Sequence, residues 1–340
     1  MSPESGGRLI KLDAMENPYT WPAALRAEWA QLLQGVHVNR YPDPQADRLR
    51  EQLREAMAIP AGAGILLGNG SDEIIQMIAM ALAGPGRVVL SVDPGFVMYR
   101  LIATFCGLKY VGVPLRAGDF ALDLEGVLQA MAETQPAVVF LAYPNNPTGN
   151  LFDPSAVRQI IEAAPGLVVV DEAYAPFTDA SFLPQVGSPD NLVVMRTVSK
   201  MGLAGLRLGF LAGPRAWLDE FDKVRLPYNI NVLTQASAGF ALRHREVFDA
   251  QTREIRIERE RLREALGRLQ GVRVYPSEAN FLLLRLHDRD ANTVFHGLRD
   301  AGVLVKNLDG AHPLLAHCLR VTVGTLQENT RFLEAFRALL

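Results

Sequence analysis

Between Ala46 and about Ala241 the chain alternates short apolar runs with amphipathic stretches, and this alternation constrains the fold more than any other feature. The apolar runs include Val88-Val89-Leu90, Tyr110 to Val113, Val138 to Leu141, Leu167 to Val170, Leu192 to Met195 and Leu208 to Leu211. An uninterrupted apolar strand must bury both faces, and a parallel sheet does so by covering itself with helices. The expectation is an α/β fold whose mainly parallel sheet is sandwiched by helices. A charge-laced helix should follow from about Glu246 to Leu269, with Glu258-Arg259-Glu260-Arg261 on its solvated side. Strand-like runs at Val272 to Tyr275, Phe281 to Leu286 and Leu319 to Val323, with helices near Thr293 to Asp300 and from Gln327, describe a smaller α+β domain. The division reads as an N-terminal arm and segment over 1–45, a large domain over 46–245 and a small domain over 246–340. The first twelve or so residues read as extended, Ala23 to Leu33 as a helix, and the whole segment as packing on the small domain.

The bulk numbers exclude several classes. With 49% apolar and 21% charged residues over 340 positions, the chain has a globular composition and length enough for a full core. A net charge of -3 gives no electrostatic reason to bind nucleic acid or an acidic membrane. Cys106 and Cys318 are too few for a disulfide framework or a thiolate site, and the six histidines show no ligand spacing, so no metal is expected. The opening residues lack a basic-then-apolar leader and no run reaches membrane-spanning length, so a cytoplasmic location is expected.

Polar clusters stand at the ends of the apolar runs. Asp171-Glu172-Ala173-Tyr174 follows Leu167 to Val170, and Tyr143-Pro144-Asn145-Asn146-Pro147-Thr148-Gly149 follows Ala137 to Leu141. Ser199-Lys200 follows Leu192 to Met195, with Arg207 seven residues beyond the lysine, and Gly68-Asn69-Gly70-Ser71-Asp72-Glu73 precedes the apolar helix-like run Ile74 to Leu82. Ligands of open α/β sheets collect outside the carboxyl ends of the strands, so one cofactor touching all four clusters is geometrically reasonable. Taken singly, each cluster has an ordinary alternative: a solvated lysine, a turn aspartate, a core tyrosine, a glycine turn before a helix.

This order of motifs resembles the fold-type I pyridoxal-phosphate aminotransferases over nearly the whole chain. Within them it looks most like the histidinol-phosphate aminotransferases, through Glu16-Asn17-Pro18-Tyr19, Arg40-Tyr41-Pro42-Asp43, Ser277-Glu278-Ala279-Asn280-Phe281 and Leu319-Arg320-Val321-Thr322-Val323-Gly324-Thr325. The family often reads Ala-Asn-Glu-Asn-Pro near its start, and Met15 stands here in place of the first Asn. The resemblance implies pyridoxal 5'-phosphate as cofactor and Lys200 as the Schiff-base lysine and proton carrier. It implies Asp171 as partner of the pyridine nitrogen, and Tyr174 with Asn146 as partners of the ring oxygen. Gly70, Ser71, Asp72, Ser199 and Arg207 would hold the phosphate, Arg207 by a fork of charge-assisted bonds and the helix after Gly70 by its free N–H groups. The carboxylates of Asp72 and Glu73 would turn away from that anion and act on the helix dipole. Phe96 would cover the ring face, with Tyr99 as support, and Tyr41 would reach across a homodimer to the neighbour's cofactor phosphate.

For the substrate, the resemblance implies Arg320 as the binder of an anionic group, with Tyr19, Asn17 and Lys306 as candidates for a phosphate end. An internal salt bridge is the competing account of Arg320. The implied reaction is transamination of L-histidinol phosphate with 2-oxoglutarate, giving imidazole-acetol phosphate and glutamate in histidine biosynthesis. Close alternatives are an aromatic or broad-specificity aminotransferase and a threonine-phosphate decarboxylase. A non-catalytic aminotransferase-like sensor would call for a basic DNA-binding module, which the motifs do not contain.

Overall fold

The computed structural model describes residues 9–340; of the expected extended arm, residues 1–8 lie outside the described residues. Two sheets organise the chain. After β1 (Ile10–Leu12), seven strands build the larger sheet: β2 (Gly64–Gly68), β3 (Val88–Asp93), β4 (Lys109–Pro114), β5 (Val138–Ala142), β6 (Leu167–Asp171), β7 (Leu192–Thr197) and β8 (Gly209–Gly213). Their order is β2-β8-β7-β6-β5-β3-β4, parallel throughout except that β8 runs antiparallel to both β7 and β2. β6 shows why the apolar runs are continuous. Val168 and Val170 enter the core on one face while Leu167 and Val169 enter the core on the other, and all four are fully buried. Burying such a side chain contributes roughly 1.5–3 kcal/mol relative to leaving it exposed.

The second sheet holds β9 (Val272–Val274), β10 (Phe281–Leu286), β11 (Val303–Asn307) and β12 (Cys318–Thr322), in the order β1-β11-β12-β10-β9. The arm joins this sheet: β1 pairs in parallel with β11, Ile10 opposite Val303 and Leu12 opposite Val305. Packing of the N-terminal segment on the smaller unit is therefore strand addition at a sheet edge. Helices at Ala23–Gln34, Ala291–Asp300 and Leu326–Arg337 fall where the sequence places them. The strand β2, which leads into the glycine turn, has no counterpart in the sequence reading. Among the described residues no helix is long and apolar enough to cross a membrane.

One expectation fails. On the helix Arg245–Gly267, Glu258 and Arg259 are not solvated but buried. Four consecutive helical residues step 100° each and so cannot share one face. Glu258 accepts from Asn329 Nδ2 at 3.1 Å, and Arg259 Nη1 donates to the carbonyls of Phe177 and Ala279, both at 3.2 Å. These bonds tie the long helix to both sheets' surroundings; only Glu260 and Arg261 behave as surface charges.

Candidate active site

The clusters converge at the carboxyl edge of the larger sheet. Asp171 ends β6, Ser199 and Lys200 follow β7, Asn146 follows β5, Phe96 follows β3, and Gly70 and Ser71 follow β2. Ser71, Asp72, Phe96, Asn146, Asp171, Tyr174, Ser199, Lys200 and Arg207 line one cavity of about 260 Å³. A larger cavity of about 780 Å³ elsewhere, walled by Arg116, Phe152, Arg263 and Glu278, collects none of them.

Lys200 is mostly buried, and its pKa is pushed down to about 8, first by burial and then by the positive charges of Arg320 and Arg207. An amine titrating there is neutral far more often near neutral pH than one at the ordinary value of 10.5. Its Nζ lies 5.7 Å from the centre of the Tyr174 ring. Asp171 is 4% exposed, and burial raises its pKa to about 6 despite two bonds that oppose the shift. Tyr99 Oη donates to its Oδ2 at 2.6 Å and the Ala173 N–H to its Oδ1 at 3.0 Å. Tyr99 itself stacks on Phe140 and meets Phe96 edge-on, which fixes the phenol against the carboxylate. The next residue, Glu172, is equally buried but ion-paired with Arg196 and bonded to Ser181 and the Phe182 N–H. Among the described residues, no lysine or arginine makes a salt bridge with Asp171.

The anion end rests on two glycines. Gly70 has φ 88°, and a Cβ there would come 2.6 Å from Arg207 Nη2, so the guanidinium lies against the turn that opens the helix Ser71–Leu82. Gly209 on β8 lets that turn seat on the sheet, since a Cβ would come 2.8 Å from the Ser71 nitrogen. Ser199 is held by Thr197, whose Oγ1 donates to Ser199 Oγ at 2.9 Å and accepts from the Ser199 N–H at 3.1 Å. Glu73 turns away as expected, accepting from the Asn69 N–H and Asn229 Nδ2. Asp72 does not. It lines the cavity with its Oδ2 3.6 Å from Arg207 Nη2, a half-exposed ion pair that draws the carboxylate towards the guanidinium.

A second cavity of about 470 Å³ shares Met15, Phe96 and Asn146 with the first and adds Arg320, Lys306, Arg100, His312, Leu308 and Leu315. Arg320 is 7% exposed, and burial holds its pKa below the ordinary arginine value. Its Nη1 donates to Asn146 Oδ1 at 2.6 Å and its Nη2 to the Asp13 carbonyl at 3.2 Å, while Nε is buried without a partner. No carboxylate forms a salt bridge with it among the described residues, which removes the internal ion pair as its explanation. Tyr174 is buried, its phenol raised by that burial, and its hydroxyl meets Met15 Sδ at 3.3 Å. Lys306 is exposed at the outer wall, directly across from Arg320 in the β11–β12 pairing.

Three sequence candidates lie away from these walls. Asn17 uses its side chain to hold the arm, donating to the Met201 carbonyl and Gln251 Oε1 and accepting from the Tyr19 N–H. Tyr19 packs against the cluster of Tyr174, Phe177 and Phe281. Tyr41 is 81% exposed and stacks on Tyr228 with ring centres 4.5 Å apart. Conversely, Thr197, Met15 and the bond from Tyr99 to Asp171 were not foreseen as parts of the site. The Tyr99 bond could have been suspected, since a buried carboxylate requires a donor.

The residues suit pyridoxal phosphate. A buried carboxylate with no internal counter-ion fits a cationic ring nitrogen, an amine near neutrality fits an aldehyde, and a glycine turn pressed on a guanidinium fits a phosphate. The chain belongs to the aminotransferase class I and II family, which it matches over residues 8–336. It is 56% identical to a histidinol-phosphate aminotransferase of Nitrosococcus oceani over 97% of this chain and 91% of that one. It is 57% identical to a histidinol-phosphate aminotransferase of Ralstonia nicotianae over 99% of this chain and 91% of that one. In fold it resembles the histidinol-phosphate aminotransferase of Sinorhizobium meliloti solved in complex with pyridoxal-5'-phosphate. The TM-score is 0.87 at 24% identity, covering 98% of this chain and 92% of that one.

Proposed function

We propose that the chain is a pyridoxal-phosphate-dependent transaminase acting on L-histidinol phosphate and 2-oxoglutarate, and yielding imidazole-acetol phosphate and glutamate in histidine biosynthesis. The observation that carries this is the pairing of the two cavities: one holds Lys200, Asp171 and Arg207, and its neighbour holds Arg320 and Lys306. The cofactor supplies an aldehyde that joins to amines and a ring that draws electrons from the bond to be broken.

The chain's own groups do the rest. Lys200 Nζ, largely desolvated and titrating at about 8, takes a proton from the substrate Cα and returns it elsewhere. Asp171, kept in place by Tyr99, offers its carboxylate to the ring nitrogen, and the contact with a cation lowers its pKa and keeps it ionised. Ser71, Ser199, Arg207 and the N–H groups after Gly70 would hold the phosphate, with Asp72 beside Arg207. Phe96 would cover the ring, and Tyr174 and Asn146 would serve its oxygen. Arg320 forks onto the substrate's anionic group. It can take the phosphate of one substrate or the carboxylate of the other without rebuilding the pocket. Lys306 lies where a phosphate end would gain a second cation.

Tyr41 completes the neighbour's phosphate site in a homodimer. Support comes from the exposure of Tyr41 together with its stacking partner Tyr228, and from Val38 and Leu226, close to these two in sequence and likewise exposed. The arm and segment over 1–45, the large domain over 46–245 and the small domain over 246–340 are part of the same proposal, as is a cytoplasmic location. The apolar walls Phe96, Leu308 and Leu315 favour a second reading, a broad aromatic aminotransferase. Single-turnover absorbance with each donor decides between them. Histidinol phosphate should convert the bound cofactor readily; failure with it and success with phenylalanine or tyrosine would establish the second reading.

A further inference from the structure

Met15 is placed oddly for a methionine. Its φ is 55°, a left-handed conformation that asparagine tolerates better than most side chains. The conformation is imposed by the smaller sheet: the Met15 N–H donates to Thr322 Oγ1 and its carbonyl accepts from Asn280 Nδ2, both at 3.0 Å. Thr322 and Asn280 are themselves buried, so the arm is clamped at this peptide. The clamp leaves the side chain in the wall shared by the two cavities, with Sδ 3.3 Å from the Tyr174 hydroxyl.

We propose that Met15 is a specificity-determining residue, its thioether forming the wall on which the flat ring of the amino donor lies. The proposal rests on the reading above, in which the donor carries a ring and the acceptor does not. A thioether packs well on aromatic rings, and its unbranched chain adapts to an irregular gap. The outer cavity supplies further apolar walls in Phe96, Pro147, Leu308 and Leu315. Glutamate and 2-oxoglutarate bring only methylene groups to this wall, so Met15 distinguishes the two substrates that Arg320 treats alike.

The test uses the holoenzyme labelled with carbon-13 on the methionine methyl groups, the Met15 signal being assigned by its loss in Met15→Leu. Histidinol phosphate should move that signal further upfield than glutamate does, the excess being the ring current of the donor. In kinetics, Met15→Asn should raise KM for the ring-bearing donor about three- to tenfold and leave KM for glutamate within about twofold. Met15→Leu, which keeps the volume and removes the sulfur, should fall between wild type and Met15→Asn. Thermal stability of Met15→Asn should equal or exceed wild type, which separates lost recognition from lost folding. A Met15 signal indifferent to the donor, or equal changes for both substrates, would overturn the proposal. Should the wild type reject histidinol phosphate but accept phenylalanine, the functional reading fails, and the same measurements made with phenylalanine still decide the role of Met15.

Discussion

The two cavities that meet at Met15, Phe96 and Asn146 are built in different ways. In the inner one, the reactive groups end or follow strands of the larger sheet, with Asp171 held by Tyr99 of the helix that follows β3 and Ser199 by Thr197 of β7. The outer one draws Arg320 from β12, Lys306 from β11 and Met15 from the arm, with contacts such as Met15 to Thr322 that span 307 residues. The inner groups are desolvated enough to move Lys200 to about 8 and Asp171 to about 6, whereas Lys306 remains exposed. Chemistry that every substrate shares sits on rigid strand ends, and the choice of substrate is left to pieces that can vary independently.

Several variants can break that comparison. The largest effect concerns the phosphate end of the inner cavity, which on this account is completed by the neighbour's Tyr41. Tyr41→Phe and Lys200→Ala proteins should each be severely impaired. Their mixture, after subunit exchange, should recover about a quarter of the wild-type sites, because half of the dimers carry one intact site. No recovery, with full activity of an isolated protomer in sedimentation, would assign Tyr41 to the surface alone. Next, Arg320→Ala should slow both half-reactions by about a hundredfold, since it removes the anion's fork and leaves Asn146 Oδ1 without its buried donor. An effect on one half only would make Arg320 a specificity residue instead of a shared anchor.

The third prediction separates the cavities by stability. Folding lowers the pKa of Lys200 from 10.5 to about 8, so its charge costs stability in full below about 8, and the cost shrinks as the pH rises from 8 to 10.5. Cofactor-free Lys200→Met should therefore be more stable than wild type at pH 7 by about 3 kcal/mol, read as a rise of several degrees in Tm, with the gain fading as the pH approaches 10.5. Lys306→Ala should show no such gain. Its effect should be the smallest of the set, an increase of about tenfold in KM for the phosphorylated amine and little change for glutamate.

This contrast also decided what could be read in the sequence. The large sheet was legible because strands buried on both faces must be apolar throughout, and the inner site because its residues lie within a few positions of those runs. Asp171, Lys200 and Asn146 stand just past strand ends, while their roles, and Phe96 altogether, were legible through the resemblance of the motifs; all four line the inner cavity. Tyr99 was visible as a supporting aromatic, but its bond to Asp171 joins positions 72 apart and depends on packing against Phe140. The outer site was legible only through Arg320 and Lys306. Whether Asn17 faced the substrate or tied the arm to Met201 and Gln251 was a question of tertiary contact, as was the turn of Asp72 towards Arg207. Glu258 and Arg259 misled for a related reason, because charge alone does not tell which face of a helix finds buried partners.

The central claim is that Lys200 is the amine that carries the cofactor, and chemical trapping tests it most directly. Holoenzyme reduced with borohydride and digested should yield a single pyridoxyl-labelled peptide, with the label on Lys200. A label on Lys223, Lys306 or any other lysine, with Lys200 unmodified, would contradict the assignment and with it the inner site as described.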